Sequence, residues 1–442
     1  MPKLAIIDHV VSAAGVERFL HGLLAGMLQL PEIDNWDITI LLAKRNSGGY
    51  EVKWPEHLTC SNLQLCYLRN DRFSSLLDRL LRAERVCGVR GTGRIQRLIP
   101  RLLKRYGTGK LRGYVGDIRL WIENFCRQQD FDVIYFSYPY LMDCPELPMP
   151  MITTPHDFNH KRFNTFGPKM RAQIDHQMPR WLRQSKFLVV SSEFIASELQ
   201  HFYPEFADKV RIVRLGIPSA SRIPSVEEIE AQCQRMGLPK VFLLTTGWIV
   251  PHKNQVILFK ALGKLRNQGI SIPLVCVGPN SDQLQPEKRK RAAGYVHEVL
   301  DTAIESGLEY GRDYWGFGYV DDFALECLYR RAFALVVPTL YEAGSFPARE
   351  AMKDLCPVIC SNIPALMEEA RLVDNSIWLF DPADSDALAN TIQYMLNNYP
   401  IVLQRAQRAQ RLVKSVYSWK KTAAGYLSVF QEAMASQEGR IA

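Results

Sequence analysis

The feature that most constrains this chain is a rhythm: short, β-rich apolar runs alternate with longer stretches of helical periodicity, in two successive series. The first series is Leu4–Asp8, Ile38–Leu42, Leu63–Leu68, Val133–Phe136, Met151–Thr154, Phe187–Val190 and Val210–Val213. The second is Val241–Thr245, Leu274–Val277, a short strand near Trp315, Ala334–Val337, Val358–Cys360 and Trp378–Leu379. Strands that are apolar throughout and joined by helices belong in parallel sheets covered on both faces. The fold class is therefore α/β, with two Rossmann-like domains.

At 442 residues, 47% hydrophobic and 23% charged, the chain is ordinary globular protein, longer than one core normally organises. The turn formers and pre-proline residues of Gly216–Pro224 read as an interdomain connection, which puts the boundary near residue 217. The ten cysteines are scattered and form no CxxC pair, as expected for thiols in a reducing cytoplasm. No apolar run reaches the roughly 20 residues of a membrane span, and the N-terminus runs straight into a strand, so neither a signal peptide nor a transmembrane helix is expected.

Chemistry concentrates where strands end. Tyr341-Glu342-Ala343-Gly344-Ser345-Phe346-Pro347-Ala348-Arg349-Glu350 follows the strand Ala334–Val337 and leads into a helix starting near Pro347. Ligands of open α/β sheets bind beyond the strand C-termini, and the free N–H groups of a helix start attract an electron-rich oxygen. Glu350, one turn into the helix, suits two ribose hydroxyls, and Glu342 suits the hydroxyls of a sugar. The pair alone reads equally well as a surface carboxylate and a residue that complements the helix dipole.

The spacing Glu342-x7-Glu350 resembles the signature of the family-4 retaining glycosyltransferases, which have the GT-B fold of two facing Rossmann-like domains with an interdomain cleft. Thr245-Thr246-Gly247-Trp248-Ile249-Val250-Pro251-His252-Lys253-Asn254 is similar to the family's strand, glycine and Lys-Asn segment. The resemblance implies that Gly247, Lys253 and Asn254 meet the donor diphosphate and that Lys253 stabilises the departing charge without a metal. It further implies nucleobase contact at Tyr319 and Val320, within Gly316-Phe317-Gly318-Tyr319-Val320, and donor contact along Ala343, Gly344, Ser345 and Phe346. In the N-terminal half, Gly15 and Val16 of Ser12-Ala13-Ala14-Gly15-Val16-Glu17-Arg18 resemble the family's glycine-rich loop at the donor phosphate; alone, Gly15 reads as a tight turn. Thr154-Pro155-His156-Asp157-Phe158 resembles the family's His-Asp at the cleft, which gives His156 a hydrogen bond to the transferred sugar. Ser192 caps a helix. Tyr417-Ser418-Trp419 opens a last helix that in relatives crosses back to the N-terminal domain, so the chain divides into 1–216, 217–415 and 416–442.

Two departures stand out. Trp248 occupies the place where many relatives carry a second diphosphate cation, leaving either Arg349 or an N-terminal residue to assist Lys253 or a leaving group that is less strongly clamped. Asp354-Leu355-Cys356-Pro357-Val358 lacks the glycine usual before Pro-Val, so a differently shaped loop is expected. His156 and His160 are spaced as a metal pair, but no third ligand is evident and no metal or other cofactor is expected.

The implied activity is retaining transfer of a hexose from a nucleotide-diphosphate sugar, GDP-mannose or a UDP-hexose, to a glycan or lipid-linked acceptor in surface polysaccharide or glycolipid synthesis. A sugar-nucleotide epimerase of the same fold and a non-catalytic sugar-nucleotide binding protein are the alternatives. Arg69–Arg119 holds 14 Lys/Arg against 4 Asp/Glu, an excess larger than the whole chain's +8. Its stripes, Phe73, Leu76, Leu77, Leu80, Leu81 and Ile95, Leu98, Ile99, Leu102, Leu103, predict two basic amphipathic helices. They either pack on a sheet with solvated basic faces or touch anionic membrane at the inner face. Nucleic acid is not an expected partner, because aromatic residues are not interleaved with the arginines.

Overall fold

The computed structural model describes residues 1–8, 15–43, 54–55, 57–68, 118–140, 142–163, 167–218, 222–291 and 294–438. The expected basic helices fall at 69–117, outside the described residues, as do residues 12–14 of the first glycine-bearing loop. No helix among the described residues is long and apolar enough to cross a membrane.

Each expected strand is present, with ends displaced by at most two residues. The first sheet contains β1 (Lys3–Asp8), β2 (Asp37–Ala43), β3 (Leu63–Leu68), β4 (Val133–Phe136), β5 (Met151–Thr153), β6 (Phe187–Val190) and β7 (Val210–Ile212) in the order β3-β2-β1-β4-β5-β6-β7. The second contains β8 (Leu243–Thr246), β9 (Leu274–Val277), β10 (Tyr314–Gly316), β11 (Ala334–Val337), β12 (Val358–Ser361) and β13 (Trp378–Phe380) in the order β10-β9-β8-β11-β12-β13. Every pairing in both sheets is parallel. The central strands β4, β6, β9 and β11 are buried along their whole length, which is why they read as unbroken apolar runs.

Chain order reverses between β1 and β4 in the first sheet and between β8 and β11 in the second. At such a switch the connections leave in opposite directions and open a crevice at the strand C-termini, where ligands bind. The segments that follow these four strands include Gly15, Ser137, Gly247 with Lys253, and Glu342.

The helix Trp419–Glu438 packs along the helix Gly15–Met27, and Trp419, Tyr426 and Phe430 are part of the core on that face of the first sheet. Trp419 fits because Gly22, Gly26 and Gly216 offer no side chain: a Cβ on any of them would overlap Trp419. The two halves also meet along a polar seam. Ser192 Oγ donates to the carbonyl of Ala343 at 3.2 Å, and Glu368 accepts from the N–H groups of Glu193 and Phe194 at 3.1 and 2.9 Å. Those two N–H groups begin the helix Glu193–Phe202, so a carboxylate of the second half complements a helix N-terminus of the first.

Candidate active site

Lys253 ends a single 3-10 turn, Pro251–Lys253, and Asn254 then takes a left-handed conformation (φ 57°, ψ 36°) that starts the helix Gln255–Asn267. Asparagine tolerates that region better than most residues, and its side-chain N–H anchors the turn by donating to the Pro382 carbonyl at 2.9 Å. Asn254 thereby fixes the turn that carries Lys253, with its side-chain N–H engaged within the protein. The Lys253 ammonium lies 2.5 Å from Glu342 Oε1. The pair is 89 residues apart in sequence but follows adjacent strands, β8 and β11.

Asp157, in the segment after β5, faces this pair from the first half, with His156 beside it in sequence. Burial pushes the Asp157 carboxyl above its ordinary range, opposed by the N–H of Asn159 at 2.9 Å; Glu342 reinforces the rise and Lys253 resists it. His156 is half-buried, with Nε2 2.7 Å from the carbonyl of Ser137, and its ring sits edge-on to Phe19. A carbonyl only accepts, so Nε2 carries the hydrogen and Nδ1 of the neutral ring is an acceptor. Burial lowers the imidazole to about 4, with the Ser137 carbonyl acting in the opposite direction.

Glu350 lies within the helix Phe346–Lys353 and is 6% exposed. Its Oε1 accepts from Arg18 Nη1 at 3.0 Å, and its Oε2 accepts from the Tyr329 hydroxyl at 3.1 Å. Burial raises the Glu350 carboxyl, and Arg18 and Tyr329 oppose that rise. A cavity of about 220 Å³ lies beside it, bordered by Arg18, Asp322, Tyr329, Lys353 and Asp354.

The loops after β8, β9 and β10 are laced together. Gly247 N–H donates to Val277 at 2.9 Å, Gly278 N–H to Gly318 at 2.7 Å and Gly318 N–H to Ser281 Oγ at 2.8 Å. Gly247 and Gly278 have φ of 123° and 118°, and a Cβ on Gly278 would overlap the Gly247 carbonyl. Tyr319 is 73% and Trp248 55% exposed at this edge, whereas Val320 packs against the core.

Ser345, Phe346, Ala343 and Arg349 are engaged within the protein itself. Ser345 N–H donates to Glu369 at 2.8 Å and its Oγ caps the helix by accepting from Ala348 N–H at 3.3 Å. Phe346 packs against the core of the first half. Gly15 and Val16 begin the first helix, and Gly344, at φ 156°, has no room for a Cβ beside Arg349. Ala343 contributes its carbonyl to Ser192. Arg349 does not assist Lys253: its guanidinium is buried against Glu369 at 2.7 Å and over the ring of Tyr417. A buried ion pair of this kind cannot release one partner without leaving the other charge bare. His160 faces Asp175 at 3.5 Å, and no cluster of three or more metal-ligating side chains occurs among the described residues.

Arg18 stands three residues beyond Gly15, and its place one turn into the helix after a switch-point strand is its mark in the sequence. Asp157 stands in the His-Asp segment without a role of its own, and only three-dimensional partners distinguish Tyr341 and Glu198.

Residues 228–415 match the family model described as Glycosyl transferases group 1, and residues 70–220 match Glycosyltransferase Family 4. The chain is 28% identical over 250 residues to the O-antigen chain mannosyltransferase B of Escherichia coli, covering 56% of this chain and 61% of that relative. It is 25% identical over 319 residues to a glycogen synthase of Mycobacterium tuberculosis, covering 72% of this chain and 70% of the other. Among solved structures it resembles Anabaena HepE in complex with UDP and glucose, with a TM-score of 0.66 at 15% identity over 98% of this chain and all of the other.

Proposed function

Because the chain belongs to the group-1, family-4 glycosyltransferases and has their GT-B fold, we propose that it transfers a hexose from a nucleotide-diphosphate sugar to a glycan or lipid-linked acceptor, with retention and without a metal. The observation that carries this reading is the meeting of Lys253 and Glu342, which follow adjacent strands of the second sheet, with Asp157 from the segment after β5 of the first.

In this reading Lys253 stabilises charge that grows on the diphosphate as the glycosidic bond breaks, a task suited to a compact ammonium in a partly dry site. The 2.5 Å contact with Glu342 then rearranges on donor binding, with Glu342 turning to the sugar hydroxyls. Neutral His156 offers Nδ1 to a sugar hydroxyl without adding charge. Glu350 accepts from the ribose, and the exposed Tyr319 lies at the edge assigned to the base. The departing phosphate oxygen takes the acceptor's proton as the new glycosidic bond forms on the same face. Closure of the two halves excludes water and aligns the reactants. GDP-mannose is the first donor to test, supported by the similarity to a mannosyltransferase; the UDP and glucose in the HepE complex support UDP-hexoses as the second.

Thermal-shift screening of UDP, GDP and ADP identifies the nucleotide, since binding to the folded state raises apparent stability. Donor consumption is then followed with an acceptor panel. Lys253→Ala should lower kcat by roughly 10²–10³ with the fold intact, the scale for loss of a group that stabilises transition-state charge. Unchanged turnover in this variant refutes the assigned role. Conversion of the donor to an isomer with no acceptor present would instead indicate the epimerase.

A further inference from the structure

Arg18 reaches out of the first half and holds two acids of the second. Its Nη1 lies 3.0 Å from Glu350 Oε1 and its Nη2 2.5 Å from Asp322 Oδ1. Since Tyr329 supplies the partner of Glu350 Oε2, the two oxygens of one buried carboxylate are held from opposite halves of the molecule. Each oxygen keeps one further acceptor direction, and the 220 Å³ cavity lies beside them.

We propose that Arg18 is a positioning residue for the donor: it fixes the Glu350 carboxylate, in its ionised form, in the orientation that accepts ribose hydroxyls. The nucleotide site of the second half is then complete only when the first half closes onto it. This rests on the reading that Glu350 meets the ribose.

The chemistry supports a clamp. A carboxylate this deeply buried takes up a proton unless it is paired, and a protonated carboxyl spends one oxygen as a donor. The charged groups around Glu350 are Arg18 from the first half, Lys353 on its own helix and Asp322 across the cavity, with the Tyr329 hydroxyl beside them. Lys353 and Arg18 favour the ionised form and Asp322 disfavours it, so Arg18 also offsets Asp322 through their direct contact. Arginine suits this role because its fork reaches two acceptors at once while staying charged.

The test compares ribo- and 2′-deoxyribonucleotide binding by calorimetry between pH 6 and 9, with UDP against dUDP, GDP against dGDP and ADP against dADP. Wild type, Arg18→Ala, Arg18→Lys and Glu350→Gln are measured on the full chain. Wild type should prefer the ribo form by about tenfold, the scale of one hydrogen bond to a charged acceptor. Glu350→Gln should largely remove that preference. Arg18→Ala should reduce it to about twofold near neutral pH and recover part of it as the pH rises and the bare carboxyl ionises. Arg18→Lys, which keeps charge but not the fork, should lie between, and it decides the matter if Arg18→Ala does not fold. If Glu350→Gln keeps the wild-type preference, or no ribonucleotide binds the wild type, the reading of Glu350 falls and the clamp with it. If Glu350→Gln loses the preference while both Arg18 variants keep it at every pH, the ribose reading stands and the proposed role of Arg18 is overturned.

Discussion

The hydroxyl of Tyr341 donates to Glu198 Oε2 at 3.0 Å and accepts from the Phe158 N–H at 2.9 Å, so one phenol in the loop after β11 ties the second half to two elements of the first. Glu198 is held in turn by Arg162, whose Nη2 and Nε lie 2.6 and 3.0 Å from Oε1. The residue next to Tyr341 is Glu342 and the residue before Phe158 is Asp157, so the bond sets how closely the two sides of the candidate active site approach. Tyr341→Phe leaves a buried N–H and a buried carboxylate oxygen each short of a partner. Chemical denaturation should show a loss of about 1–3 kcal/mol. Small-angle scattering of the variant should show a more open pair of domains.

Trp419 makes the matching contact on the other side. Gly22→Ala would push a methyl group into the indole, and relief requires the helices Gly15–Met27 and Trp419–Glu438 to separate. Overpacking of this kind costs about 1–3 kcal/mol, and Trp419→Ala, which leaves a cavity, about 3–5 kcal/mol. Thermal unfolding of both single variants and the double variant should show the Gly22→Ala cost shrinking once the indole is gone. Equal costs in the two backgrounds would contradict the packing described.

His156 titrates at about 4 in the fold, below its ordinary 6.5, because burial disfavours the charged ring. Between those values the unfolded chain binds a proton that the native chain refuses, so stability falls as pH drops, by up to about 1.4 kcal/mol per pH unit. His160 and His252 are depressed in the same way, and the raised carboxyls of Asp157, Glu350 and Glu369 act in the opposite sense. Subtracting the pH profile of His156→Asn from that of wild type isolates the one imidazole. The wild type should lose ground to the variant from pH 6.5 down to about 4.

The helix Phe346–Lys353 ends at Asp354, and Leu355 then adopts φ 64°, a left-handed position that favours glycine. The missing glycine before Pro357 therefore leaves strain at Leu355. Asp354 braces the turn through Arg330, 2.7 Å away. Leu355→Gly relieves roughly 1 kcal/mol of backbone strain, and loss of a half-buried side chain offsets part of it. A small rise in melting temperature is expected. A marked fall would show that the side chain outweighs the strain.

The strands and their ends were legible in sequence because their burial leaves a local mark, an unbroken apolar run bounded by turn formers. Glu342 and Glu350 stand out because they flank a glycine-bearing turn after a strand, and Lys253 through its likeness to the family's Lys-Asn segment. What sequence could not supply was partnership. Lys253 meets Glu342 only because β8 and β11 are neighbours. Arg349, one candidate for a second cation, is held instead by Glu369, 20 residues on.

By itself, then, the sequence determined two parallel α/β sheets and the loops that carry polar chemistry, since both follow from residue preferences acting over a few positions. Only the tertiary structure decided that Arg18 grips Glu350, 332 residues away, that Tyr341 joins the halves and that Trp419 needs three glycines around it. The first two depend on how the two halves face each other and the third on how the last helix returns to the first half, and no local pattern of residues encodes such distances.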